Sequence, residues 1–420
     1  MKGLWVLALV VLLVKCDVQK EWDLDTPSFM DKSGLTGTAS LTDATKYALE
    51  GIYKVVEGSD MFGDTLVLKR TRDKISLFGL RNANYFILDD GSANNSLILE
   101  GYWRFAQNDN NGLVRLTLEN AASLLQGDTL SPVTWVGMYG KGNDYPKFGI
   151  QLRLIQRFSA KLRSDPFIIG AHRGGGRTSD KLPVSENSVE MIKFTEYLGS
   201  NAIEIDVALT KDKIPVLYHD DDINIRLVQK GPLMGKIEDY TFKQLRTFVK
   251  LIHGENIPTL KEALDAVIDD THIRMVWLDV KSPEVLDYII PMQADYLNKI
   301  QKAKRDLHVL IGVPTQEVYD KLSTYPDYQT YPSICELETD KVLALKSKAW
   351  AYRWTLGIQK DEITKMHAAS CKCLVWTLDI PDFMEIYATY GADDPNLRFD
   401  GILTNYPSML AYIHYVRHNF

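Results

Sequence analysis

Residues 166–176 read PFIIGAHRGGG, and residues 201–220 read NAIEIDVALTKDKIPVLYHD. Both stretches contain apolar runs typical of buried strands, and reactive side chains stand at or near the ends of those runs. Five such side chains are present: His172, Arg173, Glu204, Asp206 and His219. Because side chains two positions apart on a strand share a face, the two carboxylates project together. The pattern predicts a reactive site at the carboxyl ends of several strands.

Strand-like apolar runs continue to the end of the chain. They are Phe167–Ala171, Ala202–Val207, Met275–Val280, Val309–Val313, Ile334–Leu337, Ala351–Trp354, Leu374–Leu378 and Gly401–Leu403. Helical segments separate most of them, for example Ser188–Leu198, which Gly199 closes. Eight strands alternating with helices over about 255 residues predict an α/β fold, a (β/α)8 barrel of the TIM type. A doubly wound open sheet is the alternative, but reactive residues at the ends of several different strands favour the barrel.

The same motifs resemble the signature of the glycerophosphodiester phosphodiesterases. That family usually reads HRG, then a Glu-Asn motif, then E-x-D, then a strand ending in HD. The matching segments here are HRGGG at 172–176, ENS at 186–188, EIDV at 204–207, TKDKIPVLYHD at 210–220, IPTLKEAL at 257–264, LDVK at 278–281, VWTLD at 375–379 and FDGILTNYP at 399–407. The resemblance covers about residues 165–420. It implies metal-dependent hydrolysis of a glycerophosphodiester to sn-glycerol 3-phosphate and an alcohol.

Three carboxylates converge on the predicted barrel mouth, because Asp279 joins Glu204 and Asp206 from the end of a neighbouring strand. They repel one another unless they are protonated or bridged by a cation, and oxygen ligands of this kind suit Ca²⁺ or Mg²⁺. The family usually has Glu at the position of Asp279. The shorter arm moves the carboxylate oxygen by about an ångström or more, so the third ligand binds through water or the cation shifts.

Two histidines fit the chemistry of phosphodiester cleavage, which removes a proton from the attacking oxygen and donates one to the leaving alkoxide. The resemblance implies that His172 and His219 share this work. We expect His172 to be the base and His219 the acid, although their order in the chain does not decide it. Arg173 is expected to grip two phosphate oxygens, and Lys281, two positions past Asp279, to face the same site.

Three further positions follow from the resemblance. Glu186, in the Glu-Asn motif, is expected near the metal or among the residues that surround its ligands. Trp376, in VWTLD, is expected to wall the site against the glycerol or the head group, with core packing as the alternative. Asn405 stands where the family often has Asp, and we assign it no role.

The part of the chain before the barrel has a different pattern. After a polar segment at 17 to about 47, expected to be extended, apolar and polar residues alternate, as in Val114–Leu118 and Phe148–Leu154. Residues 17–160 therefore predict an accessory all-β domain, mostly antiparallel, with six to eight strands in a sandwich or barrel. Four aromatic residues are candidates for either a ligand mouth or the core: Tyr85, Trp103, Trp135 and Tyr139.

The length and net charge of the chain indicate how many domains it has and which partners it is expected to bind. A chain of 420 residues exceeds what one core usually serves, which also indicates two domains. Its net charge of -7 offers no basic field, so nucleic acid is not an expected partner, whereas a small glycerophosphodiester is.

The first residues predict export. An apolar run over 4–14 follows Lys2; it is too short to cross a bilayer and is typical of a signal peptide, which we assign to residues 1–16. We expect a periplasmic or secreted protein. In the alternative interpretation Cys16 is lipidated and attaches the protein to a membrane, although Lys15 stands where a small residue is usual.

Two other functions remain open. A phospholipase D-like barrel that cleaves lysophospholipid or sphingomyelin would share the two histidines and the Glu-x-Asp pair, but typically carries disulfides and lacks the Glu-Asn motif. Beyond Cys16 the cysteines are Cys335, Cys371 and Cys373, an odd number without a usual zinc spacing, so we expect buried thiols. In the second alternative the barrel is inactive and the all-β domain is a ligand-binding module. The oligomeric state and the preferred head group are not specified by the sequence.

Overall fold

The protein consists of two barrels of different construction. The computed structural model describes residue 24, residues 26–128 and residues 130–417. The predicted signal segment 1–16, with Cys16, lies outside these residues. Within the described ranges, no helix combines the length and the apolar character that a bilayer span requires. The prediction of a (β/α)8 barrel preceded by an antiparallel all-β domain is confirmed.

The first barrel is a closed, up-and-down antiparallel sheet. Its strands are β1 (Gly51–Glu57), β2 (Thr65–Thr71), β3 (Lys74–Phe78), β4 (Asn84–Ala93), β5 (Ser96–Phe105), β6 (Asn111–Leu118), β7 (Thr134–Tyr139) and β8 (Phe148–Arg157). Each strand pairs with the next, and β8 closes the sheet by pairing with β1, where Tyr53 faces Leu154. Of the two architectures that the alternating pattern left open, the protein has the barrel.

Large aromatic side chains fill this small barrel. Trp103 and Trp135 are fully buried inside it, and the Trp103 indole N–H donates to the carbonyl of Gly140 at 3.1 Å. The Tyr139 ring packs against Phe62 at a centroid distance of 4.9 Å. Tyr85 is also fully buried but lies on the outer face of the sheet, in the core shared with the second barrel. These aromatics therefore act as core residues.

One segment differs from its prediction. Residues up to about 47 were expected to be extended, but a helix, α1 (Asp43–Leu49), begins there. Its start is fixed by Thr42, whose side chain accepts a hydrogen bond from the backbone N–H of Thr45. Among the described residues before the second barrel, three further α-helices have four residues each: α2 (Ser59–Phe62), α3 (Ala122–Leu125) and α4 (Ala160–Arg163).

The second barrel has eight parallel strands. They are β9 (Ile168–Ala171), β10 (Ala202–Leu209), β14 (Met275–Val280), β15 (His308–Val313), β16 (Ser333–Cys335), β17 (Ala349–Arg353), β18 (Lys372–Trp376) and β19 (Gly401–Thr404). The sheet closes because β9 pairs with both β19 and β10. An insertion after β10 contributes β11 (Pro215–Leu217), which pairs antiparallel with β10, and the short pair β12 (Asp222–Ile223) and β13 (Gly235–Lys236).

Helices cover the outside of the parallel barrel. They are α5 (Val189–Phe194), α6 (Phe242–Phe248), α7 (Leu260–Asp270), α8 (Leu286–Lys302), α9 (Gln316–Ser323), α10 (Thr339–Leu345), α11 (Lys360–Ala368), α12 (Pro381–Thr389) and α13 (Pro407–Arg417). The α7 helix shows how the sequence sets a start: Thr259 and Glu262 form a reciprocal capping box. These connections run between the end of one strand and the start of the next, so all eight carboxyl ends open on the same face.

The two barrels share one hydrophobic core. The outer face of β2 to β4 contributes Val67, Phe78 and Tyr85, and the parallel barrel contributes Leu198 and Leu410. Polar contacts reinforce the junction: the hydroxyl of Ser408 donates to the carbonyl of Ala83 at 3.1 Å, and the N–H of Lys181 donates to the carbonyl of Ala106 at 2.8 Å. Where β2 and β4 are buried on both faces, their sequences contain short continuous apolar runs, at residues 66–68 and 85–88, whereas the half-exposed β6 alternates.

Candidate active site

The predicted reactive residues meet at the carboxyl ends of β9, β10 and β14. His172 and Arg173 directly follow β9, Glu204 and Asp206 lie in β10, and Asp279 lies in β14. In the parallel register Asp206 is paired with Asp279. The insertion returns through β11 and places His219 at the same mouth, two residues after that strand ends.

Two buried carboxylates and a half-buried one form the floor of the site. Oxygen atoms of Glu204, Asp206 and Asp279 lie within 4.8 Å of one another. Burial, together with the charges of Asp206 and Asp279, raises the pKa of Glu204 well above its ordinary value. Burial also raises the pKa of Asp279. For Asp206 the attraction of Lys281 and His219 outweighs the effect of burial and lowers the pKa to about 2.

Lys281 is the cation of this group. Its Nζ lies 2.6 Å from Asp206 Oδ1 and 2.6 Å from Asp279 Oδ2. Burial alone would lower the pKa of Lys281, but the two carboxylates outweigh it and raise that pKa above its usual value. The far oxygen of Asp206 accepts from the Asn187 amide at 2.6 Å, and Asn187 accepts in return from the Asp206 backbone N–H. Positive charge therefore stabilises the three carboxylates. Their oxygen atoms are suitable ligands for a hard divalent cation.

Hydrogen bonds fix the tautomer of His172. Its Nδ1 lies 2.8 Å from Asn405 Oδ1, and the amide nitrogen of Asn405 donates to Asp379 Oδ2 at 2.6 Å. Because a carboxylate only accepts, Asp379 orients the Asn405 amide so that its oxygen faces the imidazole. His172 Nδ1 must then carry the proton, which leaves Nε2 as the basic atom, 3.8 Å from Glu204 Oε2. Burial and the neighbouring Arg173 lower the pKa of His172 to about 4.

Arg173 links the two histidine motifs. Its backbone has φ of +52°, a left-handed conformation, and its N–H donates to Glu204 Oε2 at 2.8 Å. The guanidinium contacts Glu186 at 2.8 Å and His219 Nε2 at 2.7 Å. His219 Nδ1 lies 2.6 Å from Asp220 Oδ1. In this arrangement His219 donates from Nδ1 to Asp220 and accepts from Arg173 at Nε2.

The Glu186 carboxylate contacts two arginine side chains. One of its oxygens accepts from Arg173, and the other accepts from the Thr178 N–H at 2.5 Å and lies 3.2 Å from Arg226 Nη1. Arg226 in turn pairs with Asp220. The structure places Glu186 beside Arg173, and its relation to a metal stays a prediction.

Comparison with known proteins agrees with this geometry. The model of the glycerophosphoryl diester phosphodiesterase family matches residues 172–409. The chain belongs to this family. A glycerophosphodiester phosphodiesterase of Caldanaerobacter subterraneus subsp. tengcongensis is 31% identical over 257 residues, covering 58% of this chain and 96% of the relative. A probable glycerophosphodiester phosphodiesterase 2 of Mycobacterium tuberculosis is 27% identical over 270 residues, covering 59% and 91%.

Among solved structures, a glycerophosphodiester phosphodiesterase from Parabacteroides distasonis aligns with a TM-score of 0.45 and 21% identity, covering 59% of this chain and 97% of that one. The family match lies entirely within the parallel barrel, which identifies that barrel as the phosphodiesterase domain.

Trp376 lies on another side of the phosphodiesterase mouth. It ends β18, is half-buried, and the Arg353 guanidinium lies 5.1 Å from its ring centroid. Its indole nitrogen is buried and has no hydrogen-bond partner among the described residues. The ring packs against the inner core of the barrel, and its contact with a substrate stays a prediction.

Sequence reasoning missed three residues of the phosphodiesterase site. Asn405 was assigned no role but contacts His172, and Asn187 was not assigned but holds Asp206. Glu336 directly follows β16; burial and the charge of Asp279 raise its pKa to about 8. The position of Glu336 at a strand end was a usable signal, and so was the FDGILTNYP segment that contains Asn405. The contacts themselves, between residues as distant as 172 and 405, required the fold.

A second group of potential metal ligands lies at the other end of the barrel strands. His367, Cys373 and Asp400 approach within 4.8 Å. Asp400 Oδ2 lies 2.9 Å from His367 Nε2 and accepts from the Cys373 N–H at 2.8 Å, so hydrogen bonds account for the arrangement. Cys335, Cys371 and Cys373 are free and buried, as expected.

Proposed function

We propose that this phosphodiesterase hydrolyses glycerophosphodiesters to sn-glycerol 3-phosphate and an alcohol. Its family supports the reaction class. The observation that carries the proposal is the placement of a histidine base of fixed tautomer beside buried carboxylates: His172 Nε2 lies 3.8 Å from Glu204. A second histidine stands in the same mouth, joined to His172 through the neighbouring Arg173.

We infer that Glu204, Asp206 and Asp279 hold a divalent cation, Ca²⁺ or Mg²⁺. Their oxygens lie close enough to share one ion, and their mutual repulsion needs a positive charge. Such an ion, when bound, polarises the phosphoryl oxygens and stabilises the charge that develops on them. Lys281 supplies positive charge on the same side, and Asn187 keeps Asp206 in place.

His172 acts as the general base in this proposal. Asn405 keeps the proton on Nδ1, so Nε2 presents a lone pair toward the mouth. The low pKa of His172 keeps the ring neutral at physiological pH, which a base requires. The attacking group is water or the substrate's own glycerol hydroxyl. The second route forms a cyclic phosphate, so its absence from phosphorus-31 NMR spectra during turnover would leave direct attack by water.

His219 acts as the general acid. Asp220 fixes the ring through Nδ1 and directs Nε2 into the mouth, where Arg173 now donates to it. A bound phosphate, with its two oxygens, offers the Arg173 fork a stronger charged partner than an imidazole nitrogen. We infer that substrate draws Arg173 away and that His219 Nε2 then carries the proton for the leaving alkoxide.

A second substrate class is supported by the rim of the mouth. Leu356 after β17 and Ile380 and Phe383 after β18 have exposed fractions of 64%, 44% and 41%. The Phe383 ring lies 4.8 Å from that of Trp354, so these side chains form an apolar lip. An apolar lip suits the chain of a lysophospholipid, which contains the same phosphodiester group.

The decisive experiment measures release of glycerol 3-phosphate from glycerophosphocholine by the purified chain. EDTA should abolish release, and Ca²⁺ or Mg²⁺ should restore it. With metal, His172→Ala should be slower by about 10²–10⁴-fold, whereas His308→Ala, which changes an exposed histidine outside the mouth, should keep full activity. Activity that survives both EDTA and His172→Ala would contradict the proposal. Release of choline from lysophosphatidylcholine, without activity on glycerophosphocholine, would select the lipid alternative.

We also propose export, from the signal-like residues 1–16. The mass of the mature protein tests it: cleavage removes the segment, and lipidation of Cys16 adds acyl mass and membrane association. A full-length, unmodified chain in the producing cells would contradict both forms.

A further inference from the structure

A second cavity opens at the end of the parallel barrel opposite the phosphodiesterase mouth. Its volume is about 410 Å³, within the range of small-molecule sites. Four apolar side chains line one half: Ile168, Ala202, Met275 and Leu310. The first three begin β9, β10 and β14, and Leu310 lies in β15, so four neighbouring strands form a continuous apolar wall.

The opposite side of this cavity is cationic. Lys348 immediately precedes β17 and Lys372 begins β18, and the Lys372 N–H donates to the Lys348 carbonyl at 3.0 Å. Both lysines line the cavity. Lys348 forms no ion pair within the described part of the chain, and Lys372 Nζ lies 3.8 Å from its nearest carboxylate, Asp400. Two neighbouring lysines therefore line the same cavity as the apolar wall.

The one carboxylate among the lining residues does not neutralise these lysines. Asp306 Oδ2 lies 2.8 Å from Arg274 Nη2, and Asp306 Oδ1 lies 3.7 Å from His308 Nε2. The Asp306 carboxylate therefore interacts with Arg274 and His308 and not with the two lysines. The cavity combines an apolar wall with a net positive rim in a chain whose overall charge is -7.

We propose that this cavity binds a single-chain anionic amphiphile of the fatty-acid type. The chain lies against Ile168, Ala202, Met275 and Leu310, where it removes apolar surface from water. The carboxylate lies between Lys348 and Lys372, whose ammonium groups donate charge-assisted hydrogen bonds to it. The two lysines would repel a cationic amphiphile. A short carboxylate would leave the apolar wall exposed to water. The site is independent of the phosphodiesterase reaction.

Isothermal titration of the full chain with dodecanoate, below its micelle concentration, tests the proposal. We expect saturable binding at one site, no detectable binding of acetate, and at least tenfold weaker binding of dodecyltrimethylammonium. Lys348→Glu combined with Lys372→Glu should weaken dodecanoate binding at least tenfold. Lys54→Glu with Lys141→Glu, a matched change of two exposed lysines on the small barrel, should leave it unchanged.

Filling the cavity provides a separate test. Ala202→Leu should reduce dodecanoate binding while a normal melting curve shows that the variant is folded. Dodecanoate binding that is absent in the parent chain, that persists in the double lysine variant, or that dodecyltrimethylammonium matches would overturn the proposal. Binding that is lost instead on substitution of Leu356 and Phe383 would place the amphiphile at the other end of the barrel, and would overturn it equally.

Discussion

The two barrels of this protein treat buried charge in opposite ways. In the small barrel two carboxylates with buried side chains each have their own cation: Asp90 lies 2.6 Å from Lys46, and Glu100 lies 2.5 Å from Arg115. In the phosphodiesterase barrel Glu204, Asp206 and Asp279 gather around the single ammonium of Lys281. A buried carboxylate without a partner is costly. The two small-barrel pairs avoid that cost, whereas the large barrel retains it at the mouth, where we propose that the chemistry occurs.

The largest expected difference between the two barrels is the effect of a substitution on catalytic activity. His172→Ala removes the proposed base and should lower kcat by about 10²–10⁴-fold, the usual contribution of general acid–base catalysis. The melting temperature should change little, because His172 is partly exposed and lies in the mouth. Steady-state kinetics on glycerophosphocholine, beside a thermal melt, gives both values. If His172→Ala greatly lowered the stability but left kcat unchanged, His172 would be a structural residue and the prediction would be wrong.

A substitution in the small barrel should have the opposite effect and lower the stability without lowering the activity. Trp103→Ala removes a fully buried indole and should lower the free energy of unfolding by about 3–5 kcal/mol. The activity of the remaining folded molecules should be unchanged, since Trp103 packs among the strands of the other barrel. Urea denaturation followed by intrinsic fluorescence measures the loss. Reduced kcat in fully folded Trp103→Ala would show that the small barrel contributes to the site.

Removing one carboxylate charge should have opposite signs in the two barrels. Glu204→Gln relieves repulsion from Asp206 and Asp279, so it should stabilise the protein in EDTA while abolishing metal-dependent activity. Glu100→Gln leaves Arg115 without its charged partner and should destabilise by roughly 1–3 kcal/mol. Denaturant midpoints of the two variants in the same buffer test the pair. Equal signs would mean that Glu204 is not under electrostatic stress.

The smallest expected effect concerns pH. His172 has a pKa lowered to about 4, so the base is free above that value and kcat/KM should rise with pH through it. Asn405→Asp places a carboxylate against Nδ1, which stabilises the imidazolium and raises this pKa. The acid limb of the profile should therefore move to higher pH, with rates lost in mildly acidic buffer and recovered in alkaline buffer. A uniform loss at all pH values would argue against contact with His172.

The sequence predicted the parallel barrel well because its strands are buried on both faces and punctuated by motifs. The runs Met275–Val280 and Gly401–Leu403 correspond to β14 and β19 almost residue for residue. The family assignment followed from those motifs and is confirmed. In the small barrel, alternation indicated the strands but could not distinguish a sandwich from closure, since only the β1–β8 pairing decides it.

Within the site, the residues with motif positions were predictable and their partners were not. Arg173 was expected to contact phosphate, a prediction that stays untested, while its bonds to Glu186 and His219 could not be read from spacing. Asn405 was set aside because it departs from the family pattern. Its importance depends on an amide orientation that Asp379 imposes, a property of three residues brought together by folding.

The core that the two barrels share has a consequence for how the molecule comes apart. Val67, Phe78 and Tyr85 are buried by residues of the other barrel, so separating the halves would expose them to water. The chain should therefore lose its structure in a single cooperative transition, and a protease that cuts the intact protein should not release a stable catalytic fragment. Two architectures are present, but for thermodynamic purposes they form one unit.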